Sequence, residues 1–146
     1  MKSVILYSSA REFGNTAKAS QQLATELNAE LVYLDSFKVA PYSYEHRDKN
    51  DDFRGLLRYL MQFEHIVFAS PVYWYSVTAP MKAFLDRITE FMDDEALKIE
   101  LRALRGKHFS ILSTSCSNTT PQCFIDVIQF TMQYLGMQLH TIKYGK

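Results

Sequence analysis

Short apolar runs alternate with amphipathic stretches along this chain, and the two periods separate cleanly. The runs are Ser3 to Ser8, Leu31 to Leu34, Ile66 to Ala69, Phe109 to Leu112 and Leu139 to Tyr144. Continuous apolar segments of this length, bounded by turn residues, predict strands buried on both faces. Between them, Thr16 to Asn28 carries Ala17, Leu23, Ala24 and Leu27 at helical spacing. A cap at Asn50 or Asp51 is expected to open a helix with Phe53, Leu56, Leu57, Leu60 and Met61. Pro80 suits the first position of the next helix, whose apolar stripe is Met81, Phe84, Leu85, Ile88 and Phe91. Leu97, Leu101 and Leu104 predict a shorter piece ending at Gly106. Thr120-Pro121 opens a last helix with Phe124, Ile125, Ile128 and Leu135, stopped by Gly136. The stretch Ser36 to Asp52, rich in Tyr, Asp and Lys, reads as a surface loop.

A β-α unit repeated about five times implies an α/β fold: an open, doubly wound, five-stranded parallel sheet with helices on both faces. No linker or internal repeat interrupts the pattern, so residues 1–146 are expected to form one domain. In such sheets ligands bind outside the carboxyl ends of the strands, at the topological switch point. Three loops of unusual composition follow predicted strands: Ser8 to Thr16, Ser70 to Pro80 and Ser113 to Thr120. With strand order 2-1-3-4-5, strands one, three and four are neighbours and the three loops meet on one rim.

Composition narrows the partners. Sixteen basic residues balance sixteen acidic ones, so no global field favours nucleic acid or a membrane surface. Every apolar run breaks within about ten residues, well short of a membrane span. The 47% apolar content supports a sizeable core. Cys116 and Cys123 are too few for a disulfide scaffold and, with no signal peptide ahead of them, are expected to be reduced thiols in a cytoplasmic protein. Cys116 reads as a small semi-buried hydrophobe and Cys123 as helix packing. The four histidines lack ligand spacing, so no metal site is expected, and His46 reads as a solvated loop residue.

The first loop, Ser8-Ser9-Ala10-Arg11-Glu12-Phe13-Gly14-Asn15-Thr16, offers hydroxyls, backbone N–H groups and a helix N-terminus, which together form a phosphate seat. Arg11 adds a charge-assisted contact. A dinucleotide fingerprint needs three close glycines, and only Gly14 is present, although Asp35 stands at a plausible ribose position. The P-loop Gly-Lys-Ser/Thr, a phosphatase Cys with its following Arg, and the acidic residues of a phosphoacceptor receiver are all absent. The second loop places Tyr73, Trp74 and Tyr75 beside the phosphate seat, and such aromatics suit a flat ring. Flavin mononucleotide (FMN) combines a terminal phosphate with a flat ring.

The chain resembles the flavodoxin-like family of NAD(P)H-dependent FMN reductases and related quinone reductases. The segments that carry the resemblance are Ser9-x-Arg11-x-x-Gly14-Asn15-Thr16, Ser70-Pro71-Val72-Tyr73-Trp74, and Ala79-Pro80-Met81-Lys82-Ala83-Phe84-Leu85-Asp86-Arg87. The resemblance implies that Ser9, Arg11, Gly14, Asn15 and Thr16, with backbone groups of residues 12–15, hold the FMN phosphate. It implies contact of Pro71, Val72, Tyr73, Trp74 and Tyr75 with the isoalloxazine and ribityl. Ser113, Thr114, Ser115, Cys116 and Ser117 would then run along the ring's polar edge. It further implies hydride transfer from NAD(P)H to the flavin, electron delivery to a quinone, azo compound, free flavin or similar small acceptor, and a homodimer. No dedicated acid or base is required, since the cofactor carries the reaction. Lys82 and Asp86, spaced i, i+4, read as a helix-surface pair.

Two features depart from the family pattern. The third loop, Ser113-Thr114-Ser115-Cys116-Ser117-Asn118, contains no glycine, and the chain is short for a family reductase. Two rival readings follow: an electron carrier serving protein partners, which the zero net charge disfavours, and a flavin-free member of the fold.

Overall fold

The computed structural model describes residues 1–145. Strands β1 (Ser3–Tyr7), β2 (Glu30–Tyr33), β3 (His65–Pro71), β4 (His108–Thr114) and β5 (Gln138–Gly145) form one sheet, all parallel, in the order 2-1-3-4-5. Each strand lies within three residues of its apolar run at either end. β3 runs two residues further than expected, because Ser70 and Pro71 stay in register with Ser113 and Thr114 of β4.

Strand residues alternate between two apolar clusters, as a two-residue period requires. Val4, Leu6, Ile66, Phe68, Phe109 and Ile111 face one side; Ile5, Tyr7, Val67, Ala69 and Leu112 face the other. The helices divide unequally. α2 (Phe53–Leu60), α3 (Ala79–Arg87), α4 (Thr89–Met92), α5 (Glu95–Leu101) and α6 (Gln122–Tyr134) supply the first cluster, whereas α1 (Asn15–Leu27) alone supplies the second among the described residues. No helix among them is long and apolar enough to cross a membrane.

The expected caps are shifted by tertiary demands. Asp52 stands ahead of α2 without a side-chain capping bond, its carboxylate accepting the Lys38 N–H at 2.7 Å, while Asp51 accepts the Phe53 N–H at 3.0 Å and pairs with Arg87 at 2.7 Å. α3 starts one residue before Pro80, with the Thr78 hydroxyl accepting the Met81 N–H at 3.2 Å. The predicted Met81-to-Phe91 stripe is fully buried but divides into α3 and α4. Gly106 and Gly136 take φ of +82° and +89°, a conformation that suits glycine at the two turns leading into β4 and β5.

The stretch from Lys38 to Asp52 is held more firmly than its polar composition suggests. Arg87 is fully buried and donates to the carbonyls of Ala40 and Asp48, to Asp51 and to Glu90, with its guanidinium 4.9 Å from the Phe53 ring centroid. His46 in this stretch pairs with Asp93 at 3.3 Å, so it is not a freely solvated residue.

Candidate functional site

The three loops that follow β1, β3 and β4 meet at the carboxyl rim of the sheet. The first is held from beneath. Ser8 donates its hydroxyl to Asp35 Oδ1 at 2.7 Å, and the Ser9 N–H donates to the same oxygen at 3.3 Å. Tyr33 donates to the Ser9 carbonyl at 2.7 Å and Tyr7 to the Glu12 carbonyl at 3.3 Å. The two phenol rings stack with centroids 4.9 Å apart. Burial and the nearby Glu12 and Asp35 carboxylates push both phenol pKa values up, which keeps each hydroxyl a donor.

At the end of this loop α1 begins without a side-chain cap and without an acidic residue in its first turn. Its leading N–H groups, at Asn15, Thr16 and Ala17, have no acceptor inside the helix. The Arg11 side chain lies across Gly14: a Cβ at Gly14 would sit 3.5 Å from Arg11 Nε and 3.7 Å from Cζ. The guanidinium thus packs against Gly14 beside the open helix end. Arg11 is exposed and, among the described residues, forms no ion pair. Ser9 is buried and its hydroxyl accepts the Arg11 N–H at 3.3 Å, while Asn15 is exposed. Thr16 is buried, its hydroxyl 2.7 Å from that of Thr114.

The second loop is a tight hairpin. Tyr73 and Ser76 exchange both backbone hydrogen bonds, at 2.8 and 3.1 Å, around Trp74 and Tyr75, whose φ values are +49° and +70°. Two consecutive left-handed residues define a primed turn that normally selects Asn-Gly. Here two aromatics adopt it, at a cost of about 1–3 kcal/mol each. Trp74 is 93% exposed and Tyr75 67% exposed, so neither belongs to the core. Tyr73 turns back to the first loop and accepts the Ala10 N–H at 3.2 Å.

The third loop closes the arrangement. Val72, Trp74, Tyr75, Ser115, Ser117, Thr119 and Pro121 line an open cleft of about 550 Å³. Tyr144, at the end of β5, donates to the carbonyls of Ser115 and Ser117. Ser115 accepts the Ser117 N–H at 2.9 Å, and Ser113 is buried with its hydroxyl 2.6 Å from that of Thr120. Side-chain hydroxyls thus shape a turn that contains no glycine. Cys116 is exposed rather than semi-buried. Cys123 is also exposed, and its thiol donates to the Tyr75 carbonyl at 3.2 Å, so it braces the hairpin instead of packing in the core.

Of the sequence-derived residues, Arg11, Gly14 and Asn15 gather at the open end of α1, and Val72, Trp74, Tyr75, Ser115 and Ser117 gather around the cleft. Ser113, Thr114 and Thr16 direct their hydroxyls to protein partners. Sequence reasoning missed Tyr7, Tyr33, Tyr144 and the tethering role of Asp35. The available signal was a Tyr at the carboxyl end of three strands, since a phenol with an apolar body and a polar tip suits that boundary. Among the described residues, no group of three His, Cys, Asp or Glu is placed to hold a metal ion.

An open, uncapped helix end with an adjacent guanidinium fits a phosphate, and the aromatic-walled cleft beside it fits a flat ring. Comparison with known proteins agrees with that fit. The model of the NADPH-dependent FMN reductase family matches residues 1–141. A Bacillus subtilis candidate NAD(P)H-dependent FMN-containing oxidoreductase, YwqN, is 26% identical over 100 residues, covering 64% of this chain and 55% of its own length. An iron-sulfur flavoprotein of Archaeoglobus fulgidus is 30% identical over 113 residues, covering 67% of this chain and 50% of its own. The matches thus span about half the length of these two relatives. Among solved structures, the Trp repressor binding protein of B. subtilis superposes with a TM-score of 0.79 at 18% identity, over 98% of this chain and 83% of that one. General stress protein 14 of Treponema denticola, solved with FMN, gives 0.69 at 11% identity, over 99% and 86%. These superpositions show a common fold. With the family model matched along nearly the whole chain, the protein belongs to the NADPH-dependent FMN reductase family.

Proposed function

We propose that this chain binds FMN across its carboxyl rim and acts as an NAD(P)H-dependent oxidoreductase on a small-molecule acceptor such as a quinone, a free flavin or an azo compound. The observation that carries the reading is the uncapped start of α1, overlaid by Arg11 and joined through the Ala10–Tyr73 hydrogen bond to the aromatic hairpin. Bound FMN would supply the two-electron redox chemistry between a reduced nicotinamide and the acceptor. The chain's own residues bind and orient. Arg11 and the N–H groups of residues 12–15 take the phosphate; Pro71 to Tyr75 meet the ring and ribityl; Ser115 to Ser117 run along the ring's polar edge. No side chain is assigned a proton-transfer step.

Two further properties belong to the same reading. A homodimer is supported by the exposed Phe130 and Tyr134, which flank an apolar trough of about 370 Å³ between α3, α4 and α6. A cytoplasmic, single-domain protein without nucleic-acid or membrane partners is supported by the two free thiols, the balanced charge and the continuity of the sheet through the chain.

The test is spectroscopic. The purified protein should carry or take up FMN with its visible absorbance, and NADH or NADPH should bleach that absorbance anaerobically. A colourless protein that FMN does not reconstitute would overturn the proposal. A flavin that neither nicotinamide reduces would favour an electron carrier.

A further inference from the structure

A carboxylate anchors the loop that carries the proposed anion seat, where its negative charge disfavours an anion. Asp35 Oδ1 receives two hydrogen bonds from the first loop, the Ser8 hydroxyl at 2.7 Å and the Ser9 N–H at 3.3 Å. The chain of contacts continues: Ser8 Oγ lies 2.6 Å from Thr78 Oγ1, which accepts the Met81 N–H at the start of α3. Because Ser8 spends its proton on Asp35, the Thr78 hydroxyl must donate to Ser8. One carboxylate therefore sets the direction of the hydroxyl bond that links the first loop to the α3 cap. Charge-assisted bonds of this kind are about twice as strong as neutral ones. Asp35 is on no part of the sequence motif that forms the phosphate seat, and it reaches the loop only because β2 lies beside β1.

The geometry points to Asp35 as a positioning residue for FMN: it holds the Ser8–Gly14 loop in its binding shape through acceptance of hydrogen bonds, while its charge opposes the bound phosphate. This rests on the FMN reading above. The two actions have opposite signs, so paired variants separate them. Asp35→Ala removes the acceptor and should weaken FMN binding by about tenfold or more. Asp35→Asn keeps an acceptor oxygen and removes the like charge, and should bind FMN at least as tightly as the unaltered protein, with the gain shrinking as salt is raised.

The experiment is FMN titration by fluorescence quenching on the full chain and both variants at two salt concentrations, with amide hydrogen exchange of the Ser8–Gly14 segment measured without ligand. Faster exchange in Asp35→Ala and rescue in Asp35→Asn are the expected results. Wild-type affinity and exchange in Asp35→Ala would overturn the inference, as would an Asp35→Asn variant as weak as Asp35→Ala. Failure of the unaltered protein to bind FMN would instead overturn the functional reading, and the exchange data would still decide whether Asp35 holds the loop.

Discussion

The two ends of one sheet differ in how much of their polar capacity they leave open. At the amino edge, His65 is buried between Ser3 Oγ at 2.9 Å and Ser110 Oγ at 2.7 Å, and Ser110 also accepts from the Thr141 N–H and hydroxyl at 3.2 and 3.0 Å. With both lone pairs of Ser110 taken, its proton goes to His65 Nε2, and the imidazole is neutral with Nδ1–H donating to Ser3. Donors and acceptors there are consumed internally. At the carboxyl rim, the first N–H groups of α1 have no helix acceptor, Arg11 forms no ion pair among the described residues, and Trp74 stands in solvent. The lesson is that a binding rim shows itself by polar capacity left unspent, and a structural edge by capacity that is fully spent.

That contrast can be broken most forcefully through Arg87, which belongs to the spent class. Arg87→Ala leaves the Asp51 carboxylate without its cation and the buried Glu90 with Arg54 alone, and should cost about 3–5 kcal/mol in chemical denaturation. An unchanged midpoint would show that the buried pairing contributes nothing. Next comes acid. Burial, then the neighbouring His140 and His108 and the amino terminus, lowers the His65 pKa from 6.5 to about 4. The unfolded chain therefore binds the proton first. Stability should be intact above about pH 6.5 and fall by about 3 kcal/mol as pH drops towards 4. A His65→Asn variant should lose that part of the acid sensitivity, and denaturation curves at several pH values would show it.

Variants at the rim should leave the fold alone and change binding. Arg11→Ala should weaken FMN affinity tenfold to a hundredfold, as expected for a lost charge-assisted bond of about 1.5–3 kcal/mol, with the melting temperature of the ligand-free protein unchanged. Equal affinity would remove Arg11 from the phosphate seat. The smallest effect is expected at the hairpin. Tyr75→Gly relieves a φ of +70° and should stabilise the ligand-free protein by about 1 kcal/mol, a rise of roughly 2–4 °C in melting temperature, while FMN affinity falls. Destabilisation instead would show that the tip is braced by its packing rather than strained.

Much of this was legible without coordinates. The five apolar runs became the five strands, and the order 2-1-3-4-5 expected of such a fold brings the three loops onto one rim. The proposed phosphate seat was legible because its residues are contiguous: Arg11, Gly14 and Asn15 lie within one short loop. Other features were hidden for a common reason. Tyr33 and Asp35 reach the first loop from the end of β2, and Tyr144 reaches the third loop from β5, so their roles depend on strand adjacency. Trp74 and Tyr75 carry no glycine or asparagine signal for the left-handed turn they form. Arg87 stands in the sequence as one more residue of a helix motif, and its burial against a distant loop is a property of the tertiary packing.

The sequence by itself determined the alternation of strand and helix, the parallel sheet and the Ser/Gly/Asn/Thr chemistry of the first loop, because periodicity and contiguous loop chemistry are local properties of the chain. Only the tertiary structure decided which polar groups are spent and which remain open. Strand neighbours far apart in sequence supply the partners, and a hydrogen bond once made inside the protein is no longer available to a ligand.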